Sequence, residues 1–216
     1  MSRNRLAGPA DPRGKAFAGF TSVAAIQRFL DSTRYSADPF GRAPLRVLRD
    51  RTANCFDGAL LAAAALRRLG HPPLLVDLRA VRDDDHVIAV FRRHGRWGAV
   101  AKSNFVGLRF REPIHRTLRE LVLSYFEPFY NLDAEKTLRA YSRPVDLAAF
   151  DPLDWVADDA AVDIIGERLD AARHYPLLSR GMIAALQPVD RRSFRAGMLG
   201  ASGAGLYRPE PRRRRA

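Results

Sequence analysis

Two residue types in this chain could together do acyl chemistry: the thiol of Cys55, the only cysteine, and the imidazole of His86. A thiolate attacks a carbonyl carbon, an imidazole takes and returns the proton, and a third group orients the imidazole. The context of Cys55 is Thr52-Ala53-Asn54-Cys55-Phe56-Asp57-Gly58, running into the apolar stretch Ala59 to Leu66. Asn54 reads as a helix N-cap with Asp57 as its reciprocal acceptor, so Cys55 falls at the first helical position. The free N–H groups and the positive end of the helix dipole at that position favour a thiolate. The Cys55 backbone N–H is a natural oxyanion donor, and Arg49, Arg51 or Asn54 could add a second. His86 opens the apolar run His-Val-Ile-Ala-Val-Phe after the acidic turn Asp83-Asp84-Asp85, which reads as a solvated loop or as a selector of basic substrates.

The elements that must position this pair are legible. Val23, Ile26, Phe29 and Leu30 predict a helix over 22–32, and Pro44 opens a short one through Arg49. The Cys55 helix is apolar on nearly every side, which predicts burial against a sheet, and it ends at Arg67, Arg68, Gly70, Pro72 and Pro73. Strands follow at 74–80, 86–92 and 96–103, with His94-Gly95 as a tight hairpin turn and 105–110 as a fourth strand. The remainder reads as helical: Ile114 to Tyr125 with Arg116 and Glu120 paired on its outer face, then Val162 to Leu169, then Leu177 to Leu186 before Pro188. The pattern predicts an α+β domain over 20–190, with a core at 44–112 and a helical extension at 113–190. Residues 1–19 read as a flexible basic arm and 191–216 as a flexible Arg-rich tail.

From Asn54 to about Asn104 the chain resembles the transglutaminase-like superfamily of papain-fold cysteine enzymes. The matching features are Cys55 opening a long apolar helix, the Leu66-Arg67-Arg68-Leu69-Gly70-His71-Pro72 ending, and the strand of Leu75 and Val76. His86 starting a strand and Gly95-Arg96-Trp97 at the next hairpin complete them. The resemblance implies a papain/transglutaminase-like core and a Cys55–His86 catalytic pair. It also implies an orienting aspartate about four residues after the tryptophan, where this chain has Ala101. Papain-type enzymes use asparagine in that role, which points to Asn104, with Ser103 as the alternative. Hairpin register separates the two. A two-residue His94-Gly95 turn sets His86 opposite Ser103, and a three-residue loop sets it opposite Asn104. Asn104 is preferred because its amide oxygen is the better acceptor for an imidazole N–H.

The functional expectation is a hydrolase or acyltransferase acting on a peptide or protein amide through Cys55, His86 and Asn104, with hydrolysis favoured. No cofactor is implied, because this chemistry needs none. One cysteine excludes an internal disulfide framework and a cysteine-based zinc site. Two other classes stay open. The missing aspartate at Ala101 suits a non-catalytic scaffold of the same fold. The net charge of +12, with lysine only at Lys15, Lys102 and Lys136 and the Arg212–Arg215 run, suits a nucleic-acid binder. Scattered arginines are equally what a GC-rich coding sequence produces. Residues 1–19 show no apolar signal core and no window reaches ~18 apolar residues, so a soluble, cytoplasmic protein is expected.

Overall fold

The helix that begins at Cys55 is packed on all sides, and the rest of the chain is arranged around it. The computed structural model describes residues 12–207. In chain order the elements are α1 (Pro12–Ala16), α2 (Val23–Asp31), β1 (Arg34–Tyr35), α3 (Pro44–Asp50), β2 (Thr52–Ala53) and α4 (Cys55–Arg68). There follow β3 (Leu74–Ala80), β4 (His86–Arg93), β5 (Arg96–Val100), β6 (Arg111–His115), α5 (Leu118–Leu123), β7 (Leu138–Ser142) and β8 (Val145–Asp146). Last come α6 (Ala160–Asp170), β9 (His174–Pro176), α7 (Arg180–Ala184) and α8 (Arg191–Gly197). The result is a mixed helix-and-sheet fold whose main sheet is antiparallel, in the order β6-β5-β4-β3-β7-β9 with β8 also on β3.

Ala59 to Leu66 of α4 are all buried, as an all-round apolar helix demands. α4 packs on β4 on one side and on α2 and α3 on the others. Gly70 at φ +88 takes the left-handed cap that ends the helix. Alternation along β4 splits the interior in two. Val87, Ala89 and Phe91 pack with α4, whereas Ile88 and Val90 join Leu121, Val122, Tyr125 and Phe129 behind the sheet. His94 and Gly95 both have positive φ, 50 and 74, the signature of a two-residue type I′ turn. The register follows, with Arg93 opposite Arg96 and Ala89 opposite Val100.

Several expectations are corrected. The segment expected as a fourth strand at 105–110 is a 3-10 turn over Val106–Leu108, and the strand follows it as β6. Ile114 therefore lies in a strand, not a helix, and the segment before it is held extended because Pro113 keeps Glu112 out of the helical region. α5 starts only at Leu118, capped by the Thr117 hydroxyl, and Glu120 accepts the Arg116 backbone N–H rather than its guanidinium. The extension expected to be helical carries β7, β8 and β9. These short pieces hold no apolar run of their own: β7 and β8 add to the free edge of β3, and β9 adds to β7. The expected flexible arm lies outside the described residues for 1–11. From Pro12 on it is folded, because Phe17 and Phe20 are buried and Phe20 meets Phe29 edge-on at 5.3 Å. The expected frayed tail contains α8, capped by Asp190 and seated by Phe194 against Tyr130 at 5.5 Å. Arg212–Arg215 lie outside the described residues. Among the described residues, no helix is long and apolar enough to cross a membrane.

Gly58 marks the tightest approach to α4. A Cβ there would meet the Lys102 Cβ at 2.3 Å. Helix propensity alone says Gly58→Ala should gain about 1 kcal/mol. The clash reverses the sign, because Lys102 is pinned by its ammonium to the carbonyls of Leu30 and Thr33. We expect Gly58→Ala to lose about 1–3 kcal/mol in urea denaturation; a gain would show that the strand end yields freely.

Candidate active site

The capping box is formed as expected. Asn54 Oδ1 accepts the Asp57 N–H at 2.9 Å and Asp57 Oδ2 accepts the Asn54 N–H at 3.2 Å. Cys55 thus stands at the first position of α4. Its thiol donates to the Asp85 carbonyl at 3.8 Å, and the amides of Val87 and Phe56 point their hydrogens at the sulfur. His86, the first residue of β4, lies between Asp85 and Val87, whose backbones approach the sulfur. Cys55 and His86 line one small cavity of about 30 Å³ with Tyr35, Asn104, Leu108 and Tyr207. Among the described residues, no hydrogen bond joins the sulfur to the imidazole.

The electrostatics overturn one expectation. The helix terminus was expected to favour the thiolate, yet burial pushes the Cys55 thiol up to about 11. The two amide donors pull it down, and the carboxylates of Asp84 and Asp57 add to the rise. Desolvation of a small anion outweighs a dipole worth about 0.3–1 kcal/mol. At neutral pH the neutral thiol is therefore the favoured form.

His86 is 4 % exposed. Its ring leaves β4 on the face behind the sheet, between the edges of Tyr125 and Phe129, both at 6.3 Å. Nε2 lies 2.8 Å from the Leu108 carbonyl. A carbonyl only accepts, so this partner places the hydrogen on Nε2 and leaves the Nδ1 lone pair free. Burial holds the imidazole down at about 4, so it is neutral at physiological pH.

Asn104, expected to orient His86, makes its hydrogen bonds elsewhere. The two-residue turn sets the register that faces His86 toward Ser103, and the β4–β5 ladder ends before either residue, at Val100. Both hydrogens of the Asn104 amide go to the carbonyls of Ser202 and Gly205, at 2.9 and 3.0 Å, and its oxygen accepts the Ser202 N–H at 2.7 Å. Ser103 is engaged with the Phe105 N–H. The Leu108 backbone holds His86 instead, a role no side-chain pattern could reveal. The side chains proposed as extra oxyanion donors are also occupied elsewhere. Asn54 caps α4, Arg49 pairs with Asp50, and Arg51 lies over Phe29 at 4.1 Å.

Tyr35 was not anticipated. A two-residue parallel bridge pairs it with Ala53, beside the start of α4, and its half-buried phenol is held above the ordinary tyrosine range by desolvation and then by Cys55. The acidic turn is more than a solvated loop. Asp83 accepts from the Thr137 hydroxyl at 2.6 Å and Asp85 from the Ala80 N–H at 2.7 Å, while Asp84 is exposed at the cleft. Another carboxylate–imidazole pair, Asp77 and His174 at 2.8 Å, ties β3 to β9 through burial that lifts Asp77 to about 6. Among the described residues, no group of three or more His, Cys, Asp or Glu side chains could hold a metal ion.

No protein-family model matches this sequence, and no curated protein matches it significantly. Solved structures similar to it include Legionella pneumophila LapG, 14 % identical over 51 % of this chain and 69 % of that chain, with a TM-score of 0.35. The EGTA-treated form of LapG is 15 % identical over 52 % of this chain and 68 % of that chain, again at 0.35.

Two measurements test this site. Iodoacetamide should alkylate Cys55 more than ~100-fold slower than free cysteine at pH 8, with the rate climbing toward pH 11; labelling at the free rate would place the thiol in water. An unfolded imidazole titrates near 6.5 and the folded one at about 4, so the unfolded chain takes up the proton first as pH falls. His86 therefore contributes stability above pH 6.5 that is lost toward pH 4, at most about 3 kcal/mol. Denaturation curves of the wild type and His86→Gln should diverge by that pH-dependent amount; parallel curves would contradict the buried, neutral imidazole.

Proposed function

We propose that the protein is a thiol hydrolase acting on a peptide or protein amide, built on a transglutaminase-like core. What supports the reading is one observation: the sulfur at the first position of α4 touches the backbone of Asp85 and Val87, on either side of the only histidine in its cavity. In the reaction the Cys55 sulfur bonds to the substrate carbonyl carbon and its proton passes to His86 Nδ1. The carbonyl oxygen becomes the oxyanion, facing N–H groups at the start of α4. The C–N bond breaks, the amine leaves with the proton from Nδ1, and a thioester remains. Water then gives its proton to Nδ1 and its oxygen to the acyl carbon, releasing acid and thiol. Leu108 keeps Nε2–H bonded throughout, in the place an aspartate or asparagine would take.

A non-catalytic scaffold is the second reading. The small cavity and the raised thiol favour it, since neither suits a working nucleophile. Hydrolysis of a fluorogenic peptide library by the full chain separates the two. The hydrolase requires turnover that Cys55→Ala and His86→Gln each reduce at least ~100-fold. Turnover insensitive to both substitutions, or none after the cleft is opened, assigns the scaffold.

A further inference from the structure

The space around Cys55 is partitioned by the chain's own C-terminal segment. On one side lies a cavity of about 340 Å³ lined by Tyr35, Asn54, Cys55, Asp84 and Gly205. On the other lies one of about 400 Å³ lined by Thr33, Tyr35, Lys102, Phe105, Arg109 and Ser202. The small thiol cavity lies between them, with Gly205 and Tyr207 in its wall. Tyr35 borders all three. Residues 199–207 thus run as a bar across one groove centred on Tyr35.

The seat of this bar is specific. Asn104, 9 % exposed, spends its whole amide on the main chain of Ser202 and Gly205. The segment closes on itself in a 3-10 turn, with the Gly205 N–H on the Ser202 carbonyl at 3.1 Å. Gly205 packs closely against the Tyr35 ring. A Cβ at Gly205 would meet that ring at 2.5 Å and the Asn104 Nδ2 at 3.2 Å. By contrast, the bar brings little apolar anchorage. Gly203 and Ala204 are exposed, and Leu199 is among the most exposed apolar residues. A segment held by main-chain hydrogen bonds and one ring contact can release without unfolding the domain. α8 is held separately, through Tyr130 to the Ser193 and Phe194 carbonyls.

We propose that Tyr35 and Asn104 form a binding site for a glycine-containing peptide turn, and that its resident ligand is the chain's own Ser202–Gly205, which divides the groove and narrows access to Cys55. The inference rests on the hydrolase reading for its purpose, since a groove blocked along its length keeps an extended substrate from the nucleophile. It recasts Asn104 as the latch and accounts for the division of the groove beside the half-buried thiol. Release of the turn joins the cavities and wets the sulfur.

Gly205→Val and Asn104→Ala in the full-length chain test it. Gly205→Val removes the seat from the terminal segment and leaves the core sequence intact. Hydrogen exchange across 199–207 reads release, iodoacetamide labelling of Cys55 reads access, and peptide hydrolysis reads function. We expect both variants to lose exchange protection in 199–207 and to label at least tenfold faster than wild type. Protection retained in both variants overturns the latch. Labelling at the wild-type rate once the segment exchanges freely overturns the seal. Faster labelling with hydrolysis appearing or rising supports the latch and the hydrolase together. Faster labelling with no hydrolysis in any form keeps the latch and sinks the hydrolase instead.

Discussion

One buried carboxylate sets the geometry of the candidate site. Asp57 is fully buried and its carboxylate accepts three hydrogen bonds: from the N–H groups of Arg42 at 2.8 Å and Asn54 at 3.2 Å, and from the Arg42 guanidinium at 3.4 Å, while its own N–H completes the capping box with Asn54. Burial raises this carboxyl, and the donors from Arg42 and Asn54 oppose the rise. Those bonds tie the loop after Tyr35 to the start of α4. Arg42 extends the tie to Ser36 and Asp38. The thiol, the phenol of Tyr35 and the mouth of the groove are therefore positioned by one anchoring point, which an exposed cap could not provide.

At Cys55 two physical effects compete and their sizes decide the outcome. The helix terminus and two amide hydrogens favour a thiolate, while exclusion of water disfavours it. Exclusion wins, as it does for the imidazole of His86, so the pair rests as neutral thiol and neutral imidazole. Both shifts have burial as their largest cause. A site of this kind changes character when its cover moves, because desolvation is the term most sensitive to water entry. The dipole and the amides would then act on a hydrated sulfur.

The sheet shows how a local rule propagates. His94 and Gly95 adopt left-handed conformations, which selects the two-residue turn, which sets the register of β4 against β5. That register removes Asn104 from opposite His86. The imidazole is left to the Leu108 carbonyl, delivered by a 3-10 turn that no hydrophobic period announces.

By itself the sequence determined the elements whose reasons are local: the capping box at Asn54, the all-round apolar α4, the Gly70 stop, the strand boundaries at 74–80 and the hairpin at His94-Gly95. It also set apart Cys55 and His86, because caps and strand starts are written in short patterns. Tertiary structure alone decided the rest. β7 and β9 exist because β3 and β7 have open edges, and Tyr35 stands by the thiol through a two-residue bridge. Leu108 serves His86 with a backbone atom common to every residue. The thiol's protonation was decided by how tightly the domain closes over it, a long-range property that the residues beside Cys55 do not encode.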